Sequence, residues 1–200
     1  MIPEFILASN SPRRRELLSM LGMDFRVIVS ECDESVDGEM APDELVCELA
    51  KRKATAVADT LNGDFIVIGA DTVVCDGKRV LGKPRDKDDA VKTLLSLSGR
   101  EHSVYTGVAL IGRGKVVAEA VETKVIFDEI SEAEARLYAE SGEPLDKAGS
   151  YGIQGLGGFF VRELRGDYYN VVGLPIARLR TMLEREFSLS ACDYLGKKRS

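Results

Sequence analysis

"DFIVIGADTVV", residues 64–74, decides how this chain is built. From Phe65 to Ala70 the run is apolar without alternation, the pattern of a central strand buried on both faces. Asp71 closes that run. A carboxylate at the end of a central strand is costly to desolvate unless it is paired or holds a metal, and α/β sheets build their clefts at strand ends. The plainer reading has Asp71 capping the backbone of Thr72 or Val73 in a turn.

On either side of this strand, helical and strand patterns alternate. "EFILAS" reads as a short buried strand feeding a helix that stops at Gly22, and "FRVIVS" as another strand. A long helix is expected from about Pro42 to Leu61, with Leu45, Val46, Leu49, Ala50 and Val57 on one face. A further helix follows "RVLGKPRDKDD" and closes before Gly99. "HSVYTGVALIG" and "VVAEAVETKVIF" form an antiparallel pair around Gly112-Arg113-Gly114. Ser131 and Glu134 have capping-box spacing, and a glycine-rich stretch, "AGSYGIQGLGG", precedes the strand "FFVREL". The last helix starts near Pro175, and 190–200 reads as a flexible tail. The expected architecture is α/β, an elongated mixed sheet flanked by helices, in one domain spanning 1–200; the 103–128 hairpin and the helix after it could form a second lobe.

Composition narrows the partners. With 27 Lys and Arg against 33 Asp and Glu, the net charge is −6, which argues against broad binding to nucleic acid or to an anionic membrane. Residues 1–15 carry no basic segment followed by a long apolar run, so a cytoplasmic protein is expected. Four scattered cysteines, without a CxxC or a histidine cluster, read as reduced thiols rather than a zinc site. The single histidine, His102, reads as a surface or strand-edge residue, and no GxSxG flanks any serine. "RGD" at Arg165–Asp167 is a chance tripeptide.

Against that acidic background, "SNSPRRRELL" (9–18) is unusual. Ser11 and Pro12 mark a helix start, yet Arg13, Arg14 and Arg15 fill its first turn, where each cation costs about 0.3–1 kcal/mol against the helix dipole. Backbone N–H groups and guanidinium forks both donate to phosphate oxygens, so a docked polyanion would reverse that cost. The alternative is three solvated arginines. A Walker A loop and a GxGxxG fingerprint are both absent, since "GIQGLGG" has the wrong spacing for either. Glu31, Asp33, Glu34 and Asp37 supply hard oxygen ligands for Mg²⁺ if their loop folds back toward Asp71, and are otherwise solvated. Lys53, Lys83 and Lys147 stand near expected element ends, and each taken singly reads as surface charge.

Together, "LASNSPRRRELL", "ELAKRKA", "GADTVV", "LGKP", "YTGVALI" and "DKAGSYGIQGLGG" resemble, in order and over nearly the whole chain, the signature blocks of the Maf-like nucleotide pyrophosphatases. The resemblance implies an α/β fold related to inosine triphosphate pyrophosphatases, two lobes with a central cleft, and a cytoplasmic homodimer. It also implies hydrolysis of a nucleoside triphosphate to monophosphate and pyrophosphate with a divalent cation, Mg²⁺ or Mn²⁺. Asp71 matches the family's proton acceptor, Lys53 and Lys83 its phosphate-side lysines, and Glu34, with Asp71, the metal side. Ser9, Arg13, Arg14, Thr72, Thr106, Asp146, Lys147 and Gln154 fall on its substrate-binding blocks. Arg13, Thr72 and Gln154 match positions that separate substrate branches: glutamine at the last resembles enzymes acting on dTTP and UTP, glutamate those acting on 7-methyl-GTP. The amide of Gln154 suits the alternating donor and acceptor edge of uracil or thymine, although it could equally tie down the glycine loop. The family's link to septum formation leaves a non-catalytic nucleotide-binding regulator as the rival class.

Overall fold

The computed structural model describes residues 2–29, 32, 33, 35, 38 and 40–195. Among them, seven strands form one mixed sheet in the order β2-β1-β3-β5-β6-β7, with β4 pairing with β3. In chain order the elements are β1 (Glu4–Leu7), α1 (Pro12–Met20), β2 (Phe25–Val27), α2 (Pro42–Ala58), β3 (Phe65–Asp76), β4 (Arg79–Leu81), α3 (Lys87–Leu97), β5 (Glu101–Gly112), β6 (Lys115–Phe127), α4 (Glu132–Glu140), β7 (Val161–Arg165), α5 (Tyr168–Val172), α6 (Ile176–Phe187) and α7 (Ala191–Tyr194). No helix among the described residues is long and apolar enough to cross a membrane.

β1 pairs in parallel with both β2 and β3, while β4 on β3 and β7 on β6 are antiparallel. β5 and β6 are joined by Arg113 and Gly114, both at positive φ (49° and 73°), the primed turn whose twist matches the flanking strands. Arg113 tolerates that backbone with its guanidinium held 2.7 Å from the Asp64 carboxylate. Ser131 and Glu134 form the expected capping box on α4.

The chain divides into two compact units. One comprises Met1–Asp71, Thr106–Val121 and Gly173–Ser200; the other comprises Thr72–Tyr105 and Glu122–Val172. In the first, Ile6, Val67 and Ala109 from the sheet meet Ala50, Ala54 and Val57 of α2. In the second, Val74, Val104, Val125 and Phe127 meet Leu94 of α3 and Tyr138 of α4. The boundary crosses β3, β5 and β6 within their length, which is why no break in composition marks it.

Four expectations need correction. β3 does not end at Asp71 but runs on to Asp76, because Val73, Val74 and Cys75 are buried again beyond it. His102 is not at the surface: only 2% of it is exposed, enclosed by Phe127 and Tyr151. The tail does not begin at residue 190, since Tyr194 of α7 is buried with its ring edge on Phe5. α2 stops at Ala58, short of Leu61.

Candidate active site

In the first unit, the site starts with how closely α2 lies on the sheet. A Cβ on Gly69 of β3 would come 2.3 Å from the carbonyl oxygen of Ala50, and one on Gly107 of β5 would come 2.2 Å from that of Val46. Glycine at both positions lets the helix backbone touch the strands. Val46, Ala50 and Lys53 lie on one helical stripe, and Asp71 follows Gly69 by two residues on the same strand face. That register delivers the Lys53 ammonium to 2.6 Å from Asp71 Oδ1, with the two side chains only 14% and 13% exposed. Thr106, next to Gly107, points to the opposite face of β5 and is fully buried.

At the end of β1, Ala8 continues the pairing by donating its N–H to the Ile68 carbonyl. The chain then turns into α1 at Ser11, whose side chain makes no cap, with Pro12 in the first turn and no acid there. Ser9 does the local work: its hydroxyl oxygen accepts from the Ser11 N–H at 3.2 Å and from Arg14 Nη1 at 3.1 Å. Arg14 Nε donates to the Gly173 carbonyl at 2.8 Å, and Arg15 donates to Asn10 Oδ1 at 2.8 Å. Arg13 is half-buried beside them. Ser9 and Arg14 are thus brought into one cluster, as are Lys53 and Asp71.

The second unit carries the remaining expected residues. Lys83 is exposed in the loop after β4, and the Gly82 carbonyl beside it accepts from the Gly149 N–H at 3.2 Å. Gly149 has no room for a side chain, since a Cβ there would meet Val74 at 2.8 Å. So the loop bearing Lys83 and the segment after Lys147 are held together. The Lys147 ammonium donates to Asp146 Oδ1 at 2.6 Å and to the Glu143 carbonyl at 2.5 Å. Thr72 is half-buried and Gln154 exposed.

Sequence reading missed what holds the glycine stretch. The Glu143 carboxylate accepts from the N–H of Leu156 at 2.9 Å, the N–H of Gly157 at 3.2 Å and the Tyr138 hydroxyl at 2.9 Å. Burial alone would push the Glu143 carboxyl up, but these three donors outweigh it and hold it below its ordinary range. The Tyr138 oxygen in turn accepts from the Gly152 N–H at 3.1 Å, and its own ionisation is pushed up by burial and by Glu143. Glu143 and Tyr138 thus tie down the loop, and Gln154 lies exposed on it. The available signal was the set of glycines at 152, 155 and 157, whose spacing fits no phosphate loop.

Among the described residues no group of three or more His, Cys, Asp or Glu side chains could hold a metal by itself. Glu34, with Glu31 and Asp37, lies outside the described residues. Asp71 supplies hard carboxylate oxygens, the donor type that Mg²⁺ and Mn²⁺ prefer.

The family model described as "Maf-like protein" matches residues 4–186. A Bacillus anthracis (strain CDC 684 / NRRL 3495) protein named dTTP/UTP pyrophosphatase is 53% identical over 176 residues, covering 88% of this chain and 92% of that protein. A Bacillus cereus (strain B4264) protein of the same name is 52% identical over the same shares. Among solved structures, the Staphylococcus aureus Ham1 protein is 18% identical with a TM-score of 0.41, over 64% of this chain and 72% of that one. A Mycobacterium abscessus nucleoside-triphosphatase, dITP/XTP pyrophosphatase, is 16% identical with a TM-score of 0.38, over 64% and 75%.

Proposed function

The chain belongs to the Maf-like family, and from that premise we propose that it hydrolyses dTTP and UTP to the monophosphate and pyrophosphate. The names of relatives at 52–53% identity over most of both chains support that substrate class. The observation that carries the chemistry is the Asp71–Lys53 pair, a carboxylate and an ammonium 2.6 Å apart and mostly shielded from water.

In this reading a water attacks the α-phosphorus, Asp71 takes its proton, and the bond to the bridging oxygen breaks to release pyrophosphate. Lys53 offers positive charge to the phosphate oxygens where that charge is least screened. Arg13, Arg14 and Lys83 neutralise the leaving pyrophosphate, with Ser9 and the Gly173 carbonyl orienting the Arg14 fork. Thr72, Asp146 and Lys147 contact the substrate, and the Gln154 amide pairs with the pyrimidine edge. Thr106, fully buried in β5, stands among the substrate-binding residues by the family resemblance alone. A divalent cation, Mg²⁺ or Mn²⁺, held by Asp71 and Glu34, would supply charge neutralisation on the triphosphate. A net charge of −6 fits a partner that is a small anion bound locally rather than nucleic acid, and the family resemblance supports one catalytic domain working as a cytoplasmic homodimer.

The test is product analysis with purified protein, Mg²⁺ and dTTP. Pyrophosphate and dTMP are expected, and Asp71→Asn in a folded protein lowers turnover by about 10²–10⁴. Orthophosphate with a diphosphate product would overturn the site of attack. Undiminished turnover in Asp71→Asn would remove the base. Nucleotide binding without any turnover would favour the regulator.

A further inference from the structure

The proposed reading gives Gln154 the pyrimidine edge but leaves open what fixes Gln154. Its backbone lies in a turn closed by the Gly155 N–H donating to the Gly152 carbonyl at 3.2 Å, with Ile153 and Gln154 in the centre. Both closing glycines are shaped around Glu143 and its neighbours. A Cβ on Gly155 would stand 2.4 Å from Glu143 Oε2, and one on Gly152 would stand 2.7 Å from Lys147 Cε and 3.2 Å from Glu143 Oε1. A Cβ on Gly157 would meet the Tyr138 hydroxyl at 2.7 Å. The loop therefore wraps a carboxylate and a phenol, and its glycines leave the space that those groups occupy.

We propose that Glu143 is a positioning residue for base selection: its carboxylate, with Tyr138, fixes the 152–157 turn so that the Gln154 amide is presented in one orientation. The proposal rests on the reading that Gln154 meets the base. Two of the three donors that Glu143 binds are N–H groups of the loop and the third is the Tyr138 hydroxyl of α4, so one carboxylate ties the loop to that helix. A carboxylate suits the task because it is acceptor-only and all its partners donate. An amide or a hydroxyl in its place would present a donor to an N–H. Lys147 contributes from the other end, through its bond to the Glu143 carbonyl. Without this anchor the turn samples several conformations, and the bonds between Gln154 and the base carry an ordering cost.

The experiment compares kcat/KM for dTTP and dATP in wild type, Glu143→Ala, Glu143→Gln and Gln154→Ala, with thermal midpoints for each. Glu143→Ala should lower the dTTP-to-dATP ratio about tenfold, through KM for dTTP, with kcat held within about twofold. Glu143→Gln keeps the shape and part of the acceptor set, so its ratio should fall by about threefold, which keeps the test decisive if the alanine variant fails to fold. Adding Glu143→Ala to Gln154→Ala should lower the ratio no further, because one acts through the other. A variant that loses thermal stability and activity on both nucleotides equally, at an unchanged ratio, has lost only structure and overturns the proposal. An unchanged ratio in Gln154→Ala removes the base reading itself, whereas a lowered ratio there with an unchanged one in Glu143→Ala refutes the positioning role alone.

Discussion

Acidification of this protein should expose one side chain with unusual clarity, because the chain contains a single histidine. His102 Nε2 lies 2.9 Å from the Tyr151 hydroxyl, while Nδ1 is buried without a partner among the described residues. An imidazolium there would leave a charged N–H unpaired in an aromatic cluster, and burial pushes the ring's pKa from 6.5 down to about 4. Asp76 opposes that shift and Arg100 adds to it, and the two pair with each other at 2.7 Å. The unfolded chain protonates near 6.5 and the folded one near 4, so between those values the unfolded state binds more protons. The contribution is therefore whole above pH 6.5, shrinks as pH falls, and is gone below about 4.

At about 1.36 kcal/mol per pH unit the full loss is about 3.4 kcal/mol, and about 2 kcal/mol has already gone between pH 7 and pH 5. For a chain of this size that is a fall in Tm of about 4–8 °C. Carboxylates also weaken acid stability, so the informative quantity is the difference from His102→Gln, which offers Tyr151 a partner but cannot titrate. Urea unfolding at both pH values should show wild type losing about 2 kcal/mol more than the variant. Equal losses, or a ring titrating above pH 6 by NMR in the folded protein, would refute the argument.

Two further outcomes follow from the first unit. Arg14→Lys keeps the charge but loses the fork shared between Gly173 and Ser9, so kcat/KM for dTTP should fall by about ten- to hundredfold with little change in Tm; an unaltered kcat/KM would show that charge alone suffices. Gly69→Ala forces a methyl against the Ala50 carbonyl and should cost about 1–3 kcal/mol in unfolding experiments while lowering kcat, since α2 carries Lys53; a folded variant with wild-type kcat would separate the helix seating from the chemistry.

What the sequence made legible was the part written in apolar period. β3 and α2 follow from runs of buried residues, and the capping box at Ser131 announces α4. Asp71 stood out because a charge after such a run demands an explanation, but its partner could not be read. Lys53 reaches it only through the close approach at Gly69 and Gly107, and a glycine in a strand does not say which backbone it admits. His102 was misread because the residues that bury it, Phe127 and Tyr151, are 25 and 49 positions away. α5 escaped for the same reason: Asn170 is fixed by the Val104 carbonyl and the Thr123 hydroxyl oxygen, so tertiary contacts rather than period hold that short helix.

The three arginines at the start of α1 look alike in the sequence and differ in the structure. Successive helical residues turn by about 100°, so Arg13, Arg14 and Arg15 fan over more than half the helix circumference and leave it in different directions. Geometry divides them. Arg15 donates to Asn10 Oδ1, just ahead of the helix start, which gives it a local acceptor, and its Nε is buried without a hydrogen-bond partner among the described residues. Arg14 is held by a carbonyl from Gly173, far along the chain, and by Ser9, the residue that also receives the Ser11 N–H. Those bonds offset the cost of a cation against the dipole and fix the plane of the guanidinium before any anion arrives. Of the three, Arg14 is the one whose removal should be felt by a bound triphosphate through lost orientation as well as lost charge.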